Sequence, residues 1–315
     1  MRKYIAIALI ALIIITGSLS LGCISQEDYT PQEGNKIKIG VMPDEATLPY
    51  YVAVEEGIFA NHGLDVEVVP FLSAMERDSA LIAGEIDAGE NDPVGVILLR
   101  NAGYDVKIVS TELQETAKKM RFAIVASPRS NINSIEDLEG KKIAISSNTI
   151  IEYITDTLLD NVHADKVEVK KVPIRMHMLL DDEVDAATLP EPLASYAIFK
   201  GAKLIISDAM LNRSVSQTVI VFSADFIKEN TESVDKFLDA YSEAVERINS
   251  DHENYRALLV EKIRIPEEIA GSYKMATYLQ PQPYPREKFE EVLGWMQSKD
   301  LVQQDIPYED LVLKQ

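Results

Sequence analysis

The sequence predicts an α/β protein of two similar lobes, each a mainly parallel, doubly wound sheet with flanking helices. Three observations lead to that expectation. Strands and helices of ordinary length alternate through most of the chain, the pattern of parallel strands joined by helical crossovers. One unit occurs twice: a helix end, a tight turn and an aliphatic-Asp-Ala strand, as Ile86-Asp87-Ala88 and as Val184-Asp185-Ala186, each leading to an acid before proline, Asp92-Pro93 and Glu191-Pro192. Beyond Phe222 the pattern turns helical. A repeated unit implies paired lobes, and loops at facing strand ends would border a cleft, where open α/β sheets hold ligands. With 315 residues, each lobe is long enough to bury its own core.

The chain opens on Met1-Arg2-Lys3, a basic start, followed by Tyr4 to Thr16, almost wholly apolar. That run is roughly half to two thirds of the ~20 residues a spanning helix needs, which is the length of an export signal. Small residues then lead to Cys23, the single cysteine, so an internal disulfide is impossible. Leu19-Ser20-Leu21-Gly22-Cys23 resembles a lipoprotein signal peptide, with Ser20 where that family usually has leucine. The expectation is a signal peptide over 1–22, lipidation at Cys23 and a polar tether over 23–36.

Ile37 to Val41 alternates as a strand and enters a loop that holds Asp44 and Glu45. Tyr51, Val54 and Ile58 share one stripe of a helix expected over 50–59, and Asp65 to Pro70 forms the next strand, ending in Phe71-Leu72-Ser73-Ala74. The helix over 75–83 opens the first repeat, whose strand runs to Asn91 and Asp92; a strand over 106–110 puts Thr111 and Glu112 at its end. Phe122 to Val125 begins the second lobe, and Ser134-Ile135-Glu136-Asp137 has the spacing of a capping box for a short helix that stops at Gly140.

Ile143 to Ile145 is a strand that runs into Ser146-Ser147-Asn148-Thr149 and then an amphipathic helix through Ile150, Ile154 and Leu158. Free N–H groups and hydroxyls at such a point can receive an acceptor group. A strand over 167–172, a helix over 173–180 and a strand over 204–206 complete that lobe, and 218–222 is the return crossing. Helices are expected over 234–248, 255–263, 266–279 and 286–298. They would pack on the first lobe and make it discontinuous, 37–120 with 223–315, around a second lobe of 121–222.

Several matched stretches then add up. Tyr51 to Phe59 with Gly63 to Val68, Ile135 to Ala144, and Leu189-Pro190-Glu191-Pro192 resemble, in this order, the substrate-binding proteins for nitrate, sulfonate, taurine and thiamine-pyrimidine precursors, the NMT1/THI5-like family. The resemblance implies a two-lobe periplasmic-binding-protein fold of type II that closes by a hinge on a small nitrogen- or sulfur-containing organic solute. It further implies delivery to an ABC permease and ATPase complex, a place on the outer face of the cytoplasmic membrane through the lipid anchor, a monomer, and no catalysis. Two rivals remain. The fold family includes pyrimidine-forming synthases, which carry a cysteine-rich segment where this chain has only Cys23. A ligand sensor without transport is not separable by sequence.

The candidate binding residues follow from both readings. Asp92 before Pro93 is a suitable helix N-cap. Glu191 before Pro192 has a side chain one methylene too long for a good N-cap bond, so a cleft-facing role stands beside the structural one. Asp44 and Glu45 lie between strand and helix, where acids favour the following dipole. Ser146, Ser147, Asn148 and Thr149 match the family segment that meets the ligand, one of them as cap. Ser73 and Thr111 match strand-end loops that face the cleft in the family, and Asn91 offers donor and acceptor together. Asp87 and Asp185 read as structural.

The four histidines, His62, His163, His177 and His252, have no acid or cysteine at ligand spacing, and no phosphate loop or nucleophile with a base is evident, so neither metal nor cofactor is expected. A net charge of −20 disfavours nucleic acid and anionic membrane surfaces. Five acids in the candidate loops (Asp44, Glu45, Asp92, Glu112, Glu191) and no arginine predict an uncharged or cationic solute, such as an amine or aminopyrimidine.

Overall fold

Ile37, Ile39 and Val41 are fully buried while Lys36 is exposed, so the first strand has one core face, as its alternation requires. The computed structural model describes residues 36–313; the expected signal peptide over 1–22, the lipidation at Cys23 and all of the tether except Lys36 lie outside the described residues.

The first run of elements is β1 (Lys36–Val41), α1 (Leu48–Glu55), α2 (Ile58–Asn61), β2 (Asp65–Pro70), α3 (Ala74–Ile82), β3 (Ala88–Asn91), α4 (Pro93–Asn101) and β4 (Val106–Leu113). The second run is β5 (Phe122–Ala126), β6 (Lys142–Ile145), α5 (Ile150–Leu159), β7 (Asp165–Glu168), α6 (Val172–Leu180), β8 (Ala186–Pro190), α7 (Leu193–Phe199) and β9 (Lys203–Ser207). The chain then returns through β10 (Thr218–Ser223) into α8 (Ala224–Glu229), α9 (Thr231–Ser250), α10 (His252–Ile263), α11 (Glu267–Ala270), α12 (Arg286–Ser298) and α13 (Tyr308–Leu311). Among the described residues no helix is long and apolar enough to cross a membrane.

Two five-stranded sheets result, in the orders β2-β1-β3-β10-β4 and β7-β6-β8-β5-β9. In the first, β1 pairs in parallel with β2 and β3, and β10 runs antiparallel between β3 and β4. In the second, β6 pairs in parallel with β7 and β8, and β5 runs antiparallel between β8 and β9. The repeat is visible atom by atom. Lys38 N–H donates to Asp87 Oδ2 at 2.8 Å, and Lys142 N–H donates to Asp185 Oδ2 at 2.9 Å, so each aspartate ties the turn after a helix to the neighbouring strand.

Four local expectations need correction. The helix expected over 50–59 breaks after Glu55, because Gly57 at φ 68° turns the chain, a conformation glycine adopts without a Cβ clash. The strand expected over 167–172 stops at Glu168, since Pro173 sits in the first turn of α6, where its missing N–H costs nothing. The strand expected over 106–110 continues to Leu113 against β10, which places Thr111 and Glu112 inside the strand and not beyond it. Of the helix expected over 266–279 only α11 forms. Downstream of it Glu45 intervenes: its carboxylate accepts from Ala276 N–H at 2.6 Å, a donor that a continuing helix would use.

The long helices bury apolar faces as their periodicity requires. α9 and α10 pack on α1 through Phe237, Tyr241, Val245 and Leu259, all fully buried. α12 packs on α4 and reaches α5, where Trp295 meets the Tyr153 ring edge-on at 5.3 Å and donates from Nε1 to Asp156 at 3.1 Å.

Candidate functional site

The strand-end loops fall into three neighbourhoods. In the first, Asp44 caps a short turn of 3-10 helix by accepting from Ala46 N–H at 2.8 Å, and the same oxygen takes Arg121 Nη2 at 2.7 Å. Arg121, only 4% exposed, also donates from Nη1 to the Ser216 carbonyl at 3.2 Å, so it ties the loop after β1 to the segments joining the two sheets. Burial works against its charge, but Asp44, Glu90 and Glu112 outweigh that and hold its pKa above the usual range. Glu45 is buried, accepts from Tyr273 OH at 2.9 Å and pairs with Lys119 Nζ at 3.1 Å, which also lies 3.8 Å over the Tyr273 ring.

Next to these groups is a cavity of about 510 Å³, bordered by Lys119, Met120, Glu191, Ser195, Phe199 and Tyr273 among others. Glu191 is not the helix N-cap: the cap of α7 is Pro192, and the Glu191-Pro192 bond is cis. The Glu191 carboxylate instead accepts from Ser195 Oγ at 2.7 Å and, more weakly, from Ser195 N–H at 3.4 Å. Burial raises its pKa, opposed by the charge of Lys119.

The second neighbourhood is the end of β3. Asp92 caps α4, accepting from Gly95 N–H at 2.9 Å, as the sequence indicates. Asn91 is fully buried; it donates to Asp78 at 3.0 Å and accepts from Asp92 N–H at 2.8 Å. Its donor and acceptor are therefore both engaged within the protein. Beside it, Glu90 accepts from Met42 N–H at 3.3 Å and lies 3.6 Å from Arg77 Nη1. Burial pushes the Glu90 carboxyl up to about 7, against the pull of Arg77. Glu112 is fully buried and bonded to Tyr50 OH through one oxygen; burial and the nearby Glu90 raise its pKa well above the carboxylate range.

The third neighbourhood is the end of β6. Thr149 caps α5, accepting from Ile151 N–H at 3.2 Å, and Asn148 takes φ 58° with its N–H on Glu152 at 2.8 Å. Ser147 donates to Glu168 from both N–H (2.8 Å) and Oγ (2.5 Å). Ser146 is buried and its carbonyl accepts from Thr149 Oγ1 at 2.7 Å.

Two candidates stand apart. Ser73 is the N-cap of α3, accepting from Glu76 N–H at 3.2 Å. Thr111 is buried within β4, where its N–H donates to the Gln282 carbonyl at 2.8 Å. Gln282 lies in the irregular chain between α11 and α12, beyond the helix expected over 266–279.

Sequence reading missed Arg77, Glu90, Lys119 and Arg121. Two of the five loop acids carry a cation partner, Arg121 on Asp44 and Lys119 on Glu45, while Arg77 meets Glu90, an acid outside that set. The expectation of an uncharged or cationic solute therefore rests on Asp92, Glu112 and Glu191 alone, of which Asp92 is a helix cap. A signal was present: Glu90 stands in a short strand of small residues, Ala88-Gly89-Glu90-Asn91, and a charge at such a place requires a buried partner.

A family model described as NMT1/THI5 like matches residues 45–254. A protein described as a putative aliphatic sulfonates-binding protein of Escherichia coli (strain K12) is 24% identical over 211 residues, 65% of this chain. The match spans 64% of that relative, a little under two thirds of its length. Among solved structures, the periplasmic aliphatic sulphonate binding protein SsuA from Escherichia coli superposes with a TM-score of 0.73 at 18% identity, over 86% of this chain and 95% of that one. The periplasmic nitrate-binding protein NrtA from Synechocystis PCC 6803 gives 0.67 at 14% identity, over 88% and 83%. At these identities the likeness establishes the fold: an α/β, two-sheet periplasmic-binding-protein architecture.

Proposed function

The chain belongs to the NMT1/THI5-like family, and on that premise we propose that it is an extracytoplasmic solute-binding lipoprotein serving an ABC importer. It captures one small organic solute containing nitrogen or sulfur between two lobes, 37–120 with 223–315 and 121–222, and hands it to a permease and ATPase complex. Cys23 carries the lipid that keeps it at the outer face of the cytoplasmic membrane, and it acts as a monomer. It performs no chemical step.

The observation that carries this reading is the cavity of about 510 Å³ beside Glu191, the size of a small-molecule site, bordered by loops from both sheets. Among the described residues Ser195 is the hydrogen-bond donor to the Glu191 carboxylate, which keeps accepting capacity for a solute. Asn148 and Ser146, at the end of β6 next to β8, do not border this cavity and enter the reading only through the family resemblance of their loop.

A thermal-shift screen of the purified full chain tests the reading, with taurine, alkanesulfonates, nitrate, aminopyrimidines, polyamines and small carboxylates. A solute at a hundred times its dissociation constant stabilises the folded state by about 2.7 kcal/mol, a shift of ~5 °C for a chain of this size. A shift with one compound class that is lost in Glu191→Ala supports the proposal. A shift that survives Glu191→Ala and Asn148→Ala unchanged removes these residues from the site.

A further inference from the structure

Two stretches of chain join the sheets: 114–121 leads from β4 to β5, and 208–217 leads from β9 back to β10. Any turning of one sheet against the other passes through them, as a hinge motion passes through the few residues that connect the moving parts. The stretches are tied to each other by two carboxylates, one on each. Asp208 accepts from Arg121 N–H at 3.0 Å and from Phe122 N–H at 2.9 Å. Glu115 accepts from Val215 N–H at 2.7 Å and from Ser214 Oγ at 3.0 Å. Asp208 is fully buried, and Glu115 is 6% exposed.

Between the two acids stands Ser216, also fully buried, with its Oγ 2.6 Å from Asp208 Oδ2 and 2.7 Å from Glu115 Oε2. Both distances are those of O–H···O bonds. A seryl hydroxyl carries one proton, however, and donates along only one of the two lines. With both acids ionised, the other line would set lone pair against lone pair and leave two like charges on either side of one buried oxygen. The arrangement is complete when a carboxyl brings a proton of its own: Asp208 donates to Ser216 Oγ, and Ser216 donates to Glu115.

The surroundings place that proton on Asp208. Burial raises its pKa to about 6 and the charge of Glu115 adds to the rise, while Ser216 and the N–H groups of Arg121 and Phe122 pull it down. The Arg121 guanidinium also faces Asp208, but its Nη2 is held by Asp44 at 2.7 Å, and Glu90 and Glu112 draw on the same charge. The proton is therefore bound below about pH 6 and lost above it. The same stretches wall the cavity beside Glu191, which Lys119 and Met120 border from one and Ala209 and Met210 from the other.

We propose that Asp208, Ser216 and Glu115 form a proton-operated joint between the two sheets: a shared proton holds the two connecting stretches together, and its loss frees them to shift and lets one sheet turn against the other. On the solute-binding reading above, the grip on a solute then changes with pH, a consequence that rests on that reading. The joint itself holds its proton with or without a solute.

The test accordingly uses none. Carbon-13 NMR of the full chain, labelled at its aspartate carboxyl carbons, should show one carboxyl that titrates near pH 6 and is missing from Asp208→Asn. In Glu115→Gln, which removes the neighbouring charge, that titration should fall by about one pH unit or more. Motion is read from the separation of spin labels at Glu85→Cys and Glu183→Cys, exposed turn positions that match in the repeat, in the full chain with Cys23→Ser. The separation or its spread should change between pH 5 and pH 8. Asp208→Asn, whose amide donates to Ser216 at every pH, should keep the pH 5 separation throughout. Glu90→Gln, which removes another acid that titrates in this range, should still respond. An absence of any aspartate titrating that high, an unshifted titration in Glu115→Gln, or a separation that ignores pH or follows it equally in Asp208→Asn overturns the inference. Each of these results leaves the solute-binding reading to its own thermal-shift screen.

Discussion

Replacing Glu90 by glutamine removes a buried carboxylate from the end of β3 without removing the acceptor for Met42 N–H. In the native protein burial holds this carboxyl near 7, whereas its ordinary value is 4.5. Between those values the folded state binds more protons than the unfolded chain, so stability rises as pH falls and is lost as pH climbs through 7. At about 1.4 kcal/mol per pH unit, the gap amounts to about 3 kcal/mol, or ~6 °C in Tm for a chain of this size. Self-repulsion of the net charge of −20 also changes with pH, but almost equally in wild type and variant. Calorimetric melting of both at pH 5 and pH 8 separates the two effects. The wild type should lose about 3 kcal/mol more than Glu90→Gln between these pH values. Parallel curves for the two proteins would refute the assignment of a raised pKa to Glu90.

Other substitutions should follow the bonds each residue makes. Arg121→Met leaves Asp44, Glu90 and Glu112 without their shared cation and should cost about 3–5 kcal/mol in urea unfolding. Asp92→Ala removes an N-cap and should cost about 1 kcal/mol, measured in the same way. Asp208, fully buried and held up to about 6 chiefly by burial, adds to the acid-side stability in the same direction as Glu90; Asp208→Asn should flatten the melting profile between pH 4 and pH 6. Trp295, the single tryptophan, bridges α12 to α5, so its emission should shift when a solute changes that contact; a silent fluorescence titration alongside a positive calorimetric one would mean that α5 and α12 keep their contact on binding.

Much of the architecture was legible because it rests on local periodicity. The strands at Ile37 and Val66 alternate, the strand at Ile143 is a short apolar run, the helix from Ile150 has one apolar face, and the turns at Asp87 and Asp185 repeat, so both sheets could be outlined. The failures arise where distant groups compete with local preference. Glu45 captures Ala276 N–H across more than two hundred residues and stops a helix that periodicity alone would continue. Thr111 reads as a strand end until β10 and the chain at Gln282 pair with it.

The candidate site was legible in its loops but not in its charges. Caps such as Asp92 and Thr149 follow from neighbouring residues, whereas the partners of Asp44, Glu45 and Glu90 come from elsewhere in the chain.

The most direct test of the solute-binding claim is isothermal titration of the full chain with the compound class that gives the largest thermal shift. The account predicts one solute per chain with a dissociation constant in the micromolar range or tighter, weakened at least tenfold by Glu191→Ala while the melting temperature without solute changes little. Saturable binding at a different stoichiometry, or none for any compound class at millimolar concentration, would contradict it.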